Sequence, residues 1–249
     1  MVETTTVKIS DRQSNIQIFK DFSSNLIGSL SGEMFSFGMG LMLLNQTHLA
    51  LSFGLSTIIG PIVSFLLLVP LGNIVDRYPH KRILVCSNLV RIIGLGLFAW
   101  ILPLFSGIGK LIPVVVYVTL DYICSDFAST AYSAAVHELV NEQKIQKLSS
   151  LTSTARSIST IFAPMLGLTL YSLVGFEAFI LIEMFASLLA FLIMLTMKFH
   201  YQITVAATQK QSTTNDQFQM FRTGIAYIKR RPLIKEIILV AVMLNFTFT

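Results

Sequence analysis

The sequence predicts an all-α integral membrane protein: a bundle of six transmembrane helices built as an inverted three-plus-three repeat, followed by the start of a seventh helix. Three observations carry the prediction. Only 12% of the 249 residues are charged and the mean hydropathy is +0.70, whereas soluble domains carry about twice that share of charge. Several apolar runs reach the roughly 20 residues that a helix rising about 1.5 Å per residue needs to cross a core of roughly 30 Å. The basic residues, finally, are segregated to one set of connections.

The apolar runs place spans at about 22–44, 49–71, 83–105, 111–133, 152–173 and 176–197, and a last run, 233–249, starts like a seventh. Residues 1–21 are mostly polar and read as a cytoplasmic arm. A signal peptide is not expected, because the first apolar segment is too long and lacks a small-residue cleavage site. Short connections alternate with longer, charged ones. Asn45-Gln46-Thr47-His48 joins the first two spans, Ser106 to Lys110 the third and fourth, and Val174-Gly175 the fifth and sixth. Of 18 Lys and Arg, Lys110 alone lies in a short connection; the other 17 lie in the arm, the longer connections or the helix ends facing them. By the positive-inside rule those segments are cytoplasmic, so the amino terminus is inside and the chain is a multi-pass protein of the plasma membrane.

Span one carries Ser24, Gly28, Gly32, Ser36 and Gly40, a small residue at every fourth position. Such a stripe lets a neighbouring helix backbone approach closely. Span two contains Ser56-Thr57-Ile58-Ile59-Gly60-Pro61 and span five Ser159-Thr160-Ile161-Phe162-Ala163-Pro164. Four positions of six are identical, and the two spans hold equivalent places in the sets one-to-three and four-to-six while crossing in opposite directions. That is the pattern an inverted repeat leaves. Pro61 and Pro164 each free a backbone carbonyl and permit a bend. The cytoplasmic stretch 198–232 divides into a polar linker and a segment where Phe218, Phe221, Ile225 and Ile228 fall at helical spacing among basic residues. This segment reads either as a helix on the inner membrane surface or as one packed beneath the bundle.

Between spans two and three stands Gly72-Asn73-Ile74-Val75-Asp76-Arg77-Tyr78-Pro79-His80-Lys81-Arg82. In that position it resembles the signature of the major facilitator superfamily, Gly-x-x-x-Asp-Arg/Lys-x-Gly-Arg-Arg/Lys. Gly72, Asp76, Arg77 and Lys81 match, while Pro79 replaces glycine and His80 replaces arginine. With Phe221-Arg222-Thr223-Gly224-Ile225-Ala226-Tyr227-Ile228-Lys229 further on, the chain is similar to macrolide-efflux-type members of that family. The resemblance covers the chain as an amino-terminal half plus the beginning of a seventh helix. It implies a six-helix bundle of that family's type and a gating role for the loop. There Asp76 pairs at the cytoplasmic interface between halves, and the basic residues engage an acid low on span four, where Asp126 lies. An ion-pair cluster of this kind locks one orientation of the halves and releases it in the other. A histidine at position 80 carries full charge only in mildly acidic conditions. The bland alternative is a solvated loop that only sets topology. A second, partial likeness links Ala163-Pro164-Met165-Leu166-Gly167-Leu168 to the Gly-Pro-x-x-Gly-Gly signature of proton-driven exporters, through Pro164 and Gly167.

Acids inside spans are costly and face a cavity or a partner. Glu33 and Asp121 fall at the middle of spans one and four, Asp126 about 7 Å further towards the cytoplasm, and Glu183 in the outer half of span six. The resemblance implies that spans one and four line the central cavity and that span six packs outside it. Glu33 and Asp121 then read as the substrate- and proton-binding pair, exchanging protons for a cationic, lipophilic compound. The alternative is that each acid bonds a neighbouring hydroxyl or amide and fixes packing. Arg91 and Arg156 are expected to snorkel to the cytoplasmic surface or to pair with loop acids such as Glu138 and Glu142.

No enzyme is expected. His48, His80, His137 and His200 are dispersed, no phosphate loop or nucleophile elbow is present, and Cys86 and Cys124 lack metal-ligand spacing. The expected function is that of a secondary active transporter, an efflux antiporter of the drug-resistance kind working by alternating access. Its partners would be a small-molecule substrate, protons, membrane lipid and a carboxyl-terminal half that this chain lacks, with no cofactor and no nucleic acid. Because a member of the family needs that second half, the alternative is a truncated, non-transporting six-helix membrane module or remnant acting as assembly partner or regulator. Gly32→Leu, which fills the small-residue stripe, is expected to damage assembly, read as loss of the monodisperse detergent-solubilised protein in size-exclusion chromatography.

Overall fold

The computed structural model describes residues 10–49 and 54–200, together with Glu236 and Val240. The expected amphipathic segment with Phe218, Phe221, Ile225 and Ile228, and the run 233–249 apart from those two residues, lie outside the described residues. Among the described residues the chain is helical throughout, without strands. The main elements are α1 (Asp11–Thr47), α2 (Leu55–Arg77), α3 (His80–Ile101), α4 (Leu111–Leu139) and α5 (Ile145–Leu195). Short 3-10 turns, Leu102–Leu104 and Gly107–Lys110, link α3 to α4, and a third, Glu142–Lys144, precedes α5.

The helices overrun the apolar runs at the ends on the side of the α2–α3 turn. Hydropathy marks only what lipid covers, and a helix continues into water wherever its backbone bonds and packing are kept. So α1 begins at Asp11, inside the segment expected as a polar arm, and it buries Ser14, Gln17, Ile18 and Asp21, one helical face. Likewise α4 runs on to Leu139 and α5 starts at Ile145. The turn between α2 and α3 shrinks to Tyr78-Pro79, with Pro79 as N-cap of α3. Gly72, Asp76 and Arg77 therefore lie in the last turns of α2, and His80 and Lys81 open α3. Within α2 the bend, 62° between Thr57–Leu68 and Pro70–Arg77, falls at Val69-Pro70 rather than at Pro61.

The helix assigned as α5 is two limbs, 145–174 and 176–195, broken at Gly175 with φ 75° and ψ 171°. That conformation is reserved for glycine, because a Cβ there meets the backbone. Contacts show that the chain reverses at this point. Along the first limb, Thr152, Ser159 and Gly167 meet Asp21, Ser29 and Met34 of α1, in the same order. Along the second limb, Phe179 meets Gly38 and Ala190 meets Gly28, in the opposite order. By the same reasoning α4 runs against α1 (Tyr132 to Asp21, Tyr117 to Phe35) and against α3 (Glu138 to His80, Asp121 to Arg91). It runs alongside α2 (Tyr122 to Gly60, Asp126 to Ser64). Successive segments thus alternate in direction. By length and composition four helices can cross a membrane, or five when the bent α2 counts as one span, and α5 with both limbs is one of the four.

Two apolar layers fill the bundle. In one, the ring of Phe35 stacks on Phe176 at 5.5 Å and meets Phe179 edge-on at 5.9 Å, while Phe98 stacks on Tyr117 at 4.8 Å. The other, nearer the α2–α3 turn, is built of Ile18, Val75, Leu84, Leu139 and Leu148. Between them the helices carry polar side chains. Ser24 Oγ donates to the Ala190 carbonyl at 2.9 Å, and Ser159 Oγ lies 3.3 Å from Ser29 Oγ. Two backbones come close at Gly167, where a Cβ would stand 2.9 Å from the Met34 carbonyl oxygen, whereas at Gly72 it would meet nothing within 4 Å. Gly167→Ala is expected to force α1 and the first limb of α5 apart at a cost of about 1–3 kcal/mol, and Gly72→Ala to be neutral or better. Thermal unfolding of the purified variants in detergent compares the two.

Candidate functional site

Three charged side chains meet between the apolar layers. Arg91 projects from α3, Asp121 from α4 and Glu183 from the second limb of α5. Arg91 Nε lies 2.7 Å from Asp121 Oδ1, and Arg91 Nη2 lies 3.8 Å from Glu183 Oε1. Glu183 is 1% exposed, and its Oε1 accepts a hydrogen bond of 2.8 Å from Ser187 Oγ one turn on. The phenol of Tyr117 stands close enough to feel all three charges. Local sequence makes this meeting possible. Gly94 admits Leu120 of α4 against α3, and Gly32 leaves the space into which the guanidinium reaches: a Cβ there would lie 3.0 Å from Arg91 Nη2. The stripe of small residues on α1 thus houses a charge as well as a backbone. Isolated, any of these charges would cost several kcal/mol to bury. Together, two carboxyl groups share one guanidinium.

A cavity of about 40 Å³ adjoins the cluster, lined by Gly32, Ser36, Arg91, Tyr117, Asp121 and Tyr122 among others. It has room for a few waters at most. A cavity of about 450 Å³ opens at the far end of the bundle between Gln46, Lys110, Tyr171 and Glu177. It lies away from Asp121 and Glu183, whereas Asp121 and Arg91 border the smaller one.

Of the residues singled out in the sequence, Asp121 faces the small cavity, whereas Glu33 is exposed and outside its lining. The two share a neighbour in Tyr122, whose phenol lies in the field of Asp121, Glu33 and Asp126. Arg91 does not reach the loop acids. It turns inward because two carboxylates stand beside it in the bundle, and Glu138 has another partner, His80 Nδ1, at 2.8 Å. Glu183, expected to pack outside, belongs to the core of the site. The signal in the sequence was an arginine inside a span, with acids in two spans that alternate in direction with it.

Of the residues expected to form a gate, Asp126 and Lys81 bond to α2 and to the end of the second limb of α5. Asp126 accepts a hydrogen bond from Ser64 Oγ of α2 at 2.8 Å. Lys81 Nζ donates to the carbonyl oxygens of Met197 at 2.9 Å and Leu195 at 3.3 Å and lies 5.7 Å from the Phe199 ring centroid. It thereby caps the end of the second limb, where a helix presents unsatisfied carbonyls to a cation. Asp76 and Arg77 are exposed. At the same end of the bundle, Asp21, 2% exposed, accepts from Tyr132 Oη at 2.8 Å and Thr152 Oγ1 at 3.0 Å, tying α1, α4 and α5 together. Pro61 lies within α2 and Pro164 and Gly167 within the first limb of α5.

Removing the shared cation exposes the logic of the cluster. Arg91→Met leaves Asp121 and Glu183 facing one another, and a loss on the order of 3–5 kcal/mol is expected. Arg91→Lys, which keeps the charge without the forked reach, should fall between the variant and the wild type in thermal unfolding.

Comparison with known proteins agrees with the geometry. The chain matches the Major Facilitator Superfamily over residues 22–249. It is 22% identical over 183 residues to a protein of Enterococcus faecalis named macrolide efflux protein A, an alignment covering 72% of this chain and 53% of that protein. The chain spans about half the length of the curated relative it matches. With apolar helices of spanning length, the signature residues between α2 and α3, and a match over nearly its whole length, this multi-pass membrane chain belongs to the major facilitator superfamily, a family of transporters.

Proposed function

We propose that the chain works as the amino-terminal half of a secondary active transporter that exports a cationic, amphipathic compound in exchange for protons. Each limb of α5 would cross the plasma membrane separately, giving six spans with the amino terminus in the cytoplasm. The contact pattern favours an inverted repeat: exchanging the first three segments for the last three turns the α2–α4 contact at Gly60 into the contact of α1 with Gly167, and the α3–α4 contact at Gly94 into that of the second limb of α5 with Gly28 and Gly38 of α1. Two such units rocking about the buried charge layer would supply alternating access.

The observation that carries the reading is a carboxylate, Asp121, held at mid-depth against an arginine and facing a cavity. The Asp121 side chain is 31% exposed, so the cationic group of a substrate held outside the small cavity has an ion-pair partner within reach. Glu33, exposed on α1, would face the second half of the transporter across the central cavity. Asp76, Arg77, Lys81 and Asp126, with Gly72, would lie along the cytoplasmic rim where the two halves part and close, and Pro61 and Pro164 would leave their helices free to flex during the cycle.

The test uses a complete protein, with the carboxyl-terminal half supplied. Efflux of a macrolide and substrate-induced proton release are measured for Glu33→Gln and Asp121→Asn. Each variant is expected to lose exchange by at least about tenfold, the equivalent of about 1.4 kcal/mol. Wild-type efflux and proton release in both would sink the proposal.

A further inference from the structure

The buried cluster holds two acids and one base. If both acids are ionised, a net negative charge sits in an apolar bundle with only hydroxyls to solvate it, which is the arrangement lipid-embedded proteins avoid. The two carboxyls are not equivalent. Asp121 takes the close contact with Arg91, 2.7 Å, while Glu183 stands off at 3.8 Å. Glu183 is also the deeper of the two, at 1% exposure against 31% for the Asp121 side chain. Its Oε1 accepts from Ser187, and its Oε2 is buried with no hydrogen-bond partner among the described residues. Among the described residues the groups that act on it are Arg91 from α3, Asp121 and Tyr117 from α4, Ser31 from α1 and Ser187 from its own limb. A carboxyl so placed is the one that holds a proton when only one of the pair can be ionised.

We propose that Glu183 carries the exchangeable proton of this half, and that Arg91 passes from Asp121 to Glu183 when that proton leaves. With Glu183 protonated, Arg91 and Asp121 balance one another and the cluster is neutral, which accounts for the closer contact of Arg91 with Asp121. When the O–H bond of Glu183 breaks and the proton goes to water, the new carboxylate draws Arg91 Nη2 across the short gap. Asp121 keeps its negative charge without a partner, and a cationic substrate can occupy it. Binding the cation restores neutrality; reprotonating Glu183 returns Arg91 to Asp121 and expels the cation. One proton is thereby exchanged for one positive charge through a single arginine. This deepens, and rests on, the reading of the site as a cation–proton exchanger.

The proton can be observed without transport. Infrared difference spectra of the full chain in lipid nanodiscs, recorded across pH and in heavy water, report the carbonyl stretch of a protonated carboxyl group. The wild type is expected to show that band at neutral pH. Glu183→Gln should lose it; Glu183→Asp should move it; Asp121→Asn, which frees Arg91 for Glu183, should lose it at neutral pH. A band that survives in Glu183→Gln, or its absence from the wild type, overturns the assignment. Adding tetraphenylphosphonium to the wild type should diminish the band and release protons into the medium. If Glu183 owns the band and the cation leaves it unchanged, the exchange of Arg91 falls, and with it the cation–proton reading, while the proton assignment stands.

Discussion

The bundle is organised around one requirement, that a guanidinium placed inside an apolar helix array be matched in charge. Arg91 is long enough to touch two helices at once, and its neighbours are the two acids of α4 and of the second limb of α5. Around this contact the rest falls into order. Aromatic packing about Phe35 closes the bundle on one side of the charges and aliphatic packing about Leu148 and Val75 on the other. Either layer excludes water, which strengthens the ion pair and raises the cost of any unmatched charge. The glycines of α1 do two jobs here. Gly28 lets Ala190 in close and Gly32 leaves room for the arginine itself.

Towards the α2–α3 turn the contacts change character. His80 with Glu138 and Lys81 with the carbonyls ending the second limb are partly accessible polar contacts, and Asp21 with Tyr132 and Thr152 is a buried one. They link α3, α4, α5 and α1 at one rim. An exposed polar contact can be remade against water at small cost, whereas the central charges cannot. On the proposed function, this rim is where the two halves would make and break contacts.

Much of this was legible in the residues. Apolar runs located the segments, and Val174-Gly175 was readable as a turn; its positive φ is the reason glycine stands there. The small-residue stripe foretold a close helix approach. Helix ends were less legible, because Asp11 to Asp21 carry too many polar groups to register as part of a membrane helix, although their burial follows a helical face. The bend of α2 fell at Pro70, since either proline permits one and only packing selects between them. Arg91 was assigned to the surface by analogy with snorkelling residues. Its true partners are 30 and 92 positions away, and distances of that kind appear only once the segments alternate in direction. Glu183 was undervalued for the same reason.

The central claim is that Asp121 and Glu183 share one arginine. The most direct measurement is a double-mutant cycle in the unfolding free energy of the purified chain, using Asp121→Asn and Glu183→Gln. Either single change leaves Arg91 one partner; both together leave it none. The double variant should therefore lose more stability than the sum of the singles, by at least about 1 kcal/mol. Additivity within about 0.5 kcal/mol would mean the acids do not compete for Arg91, and would contradict the account.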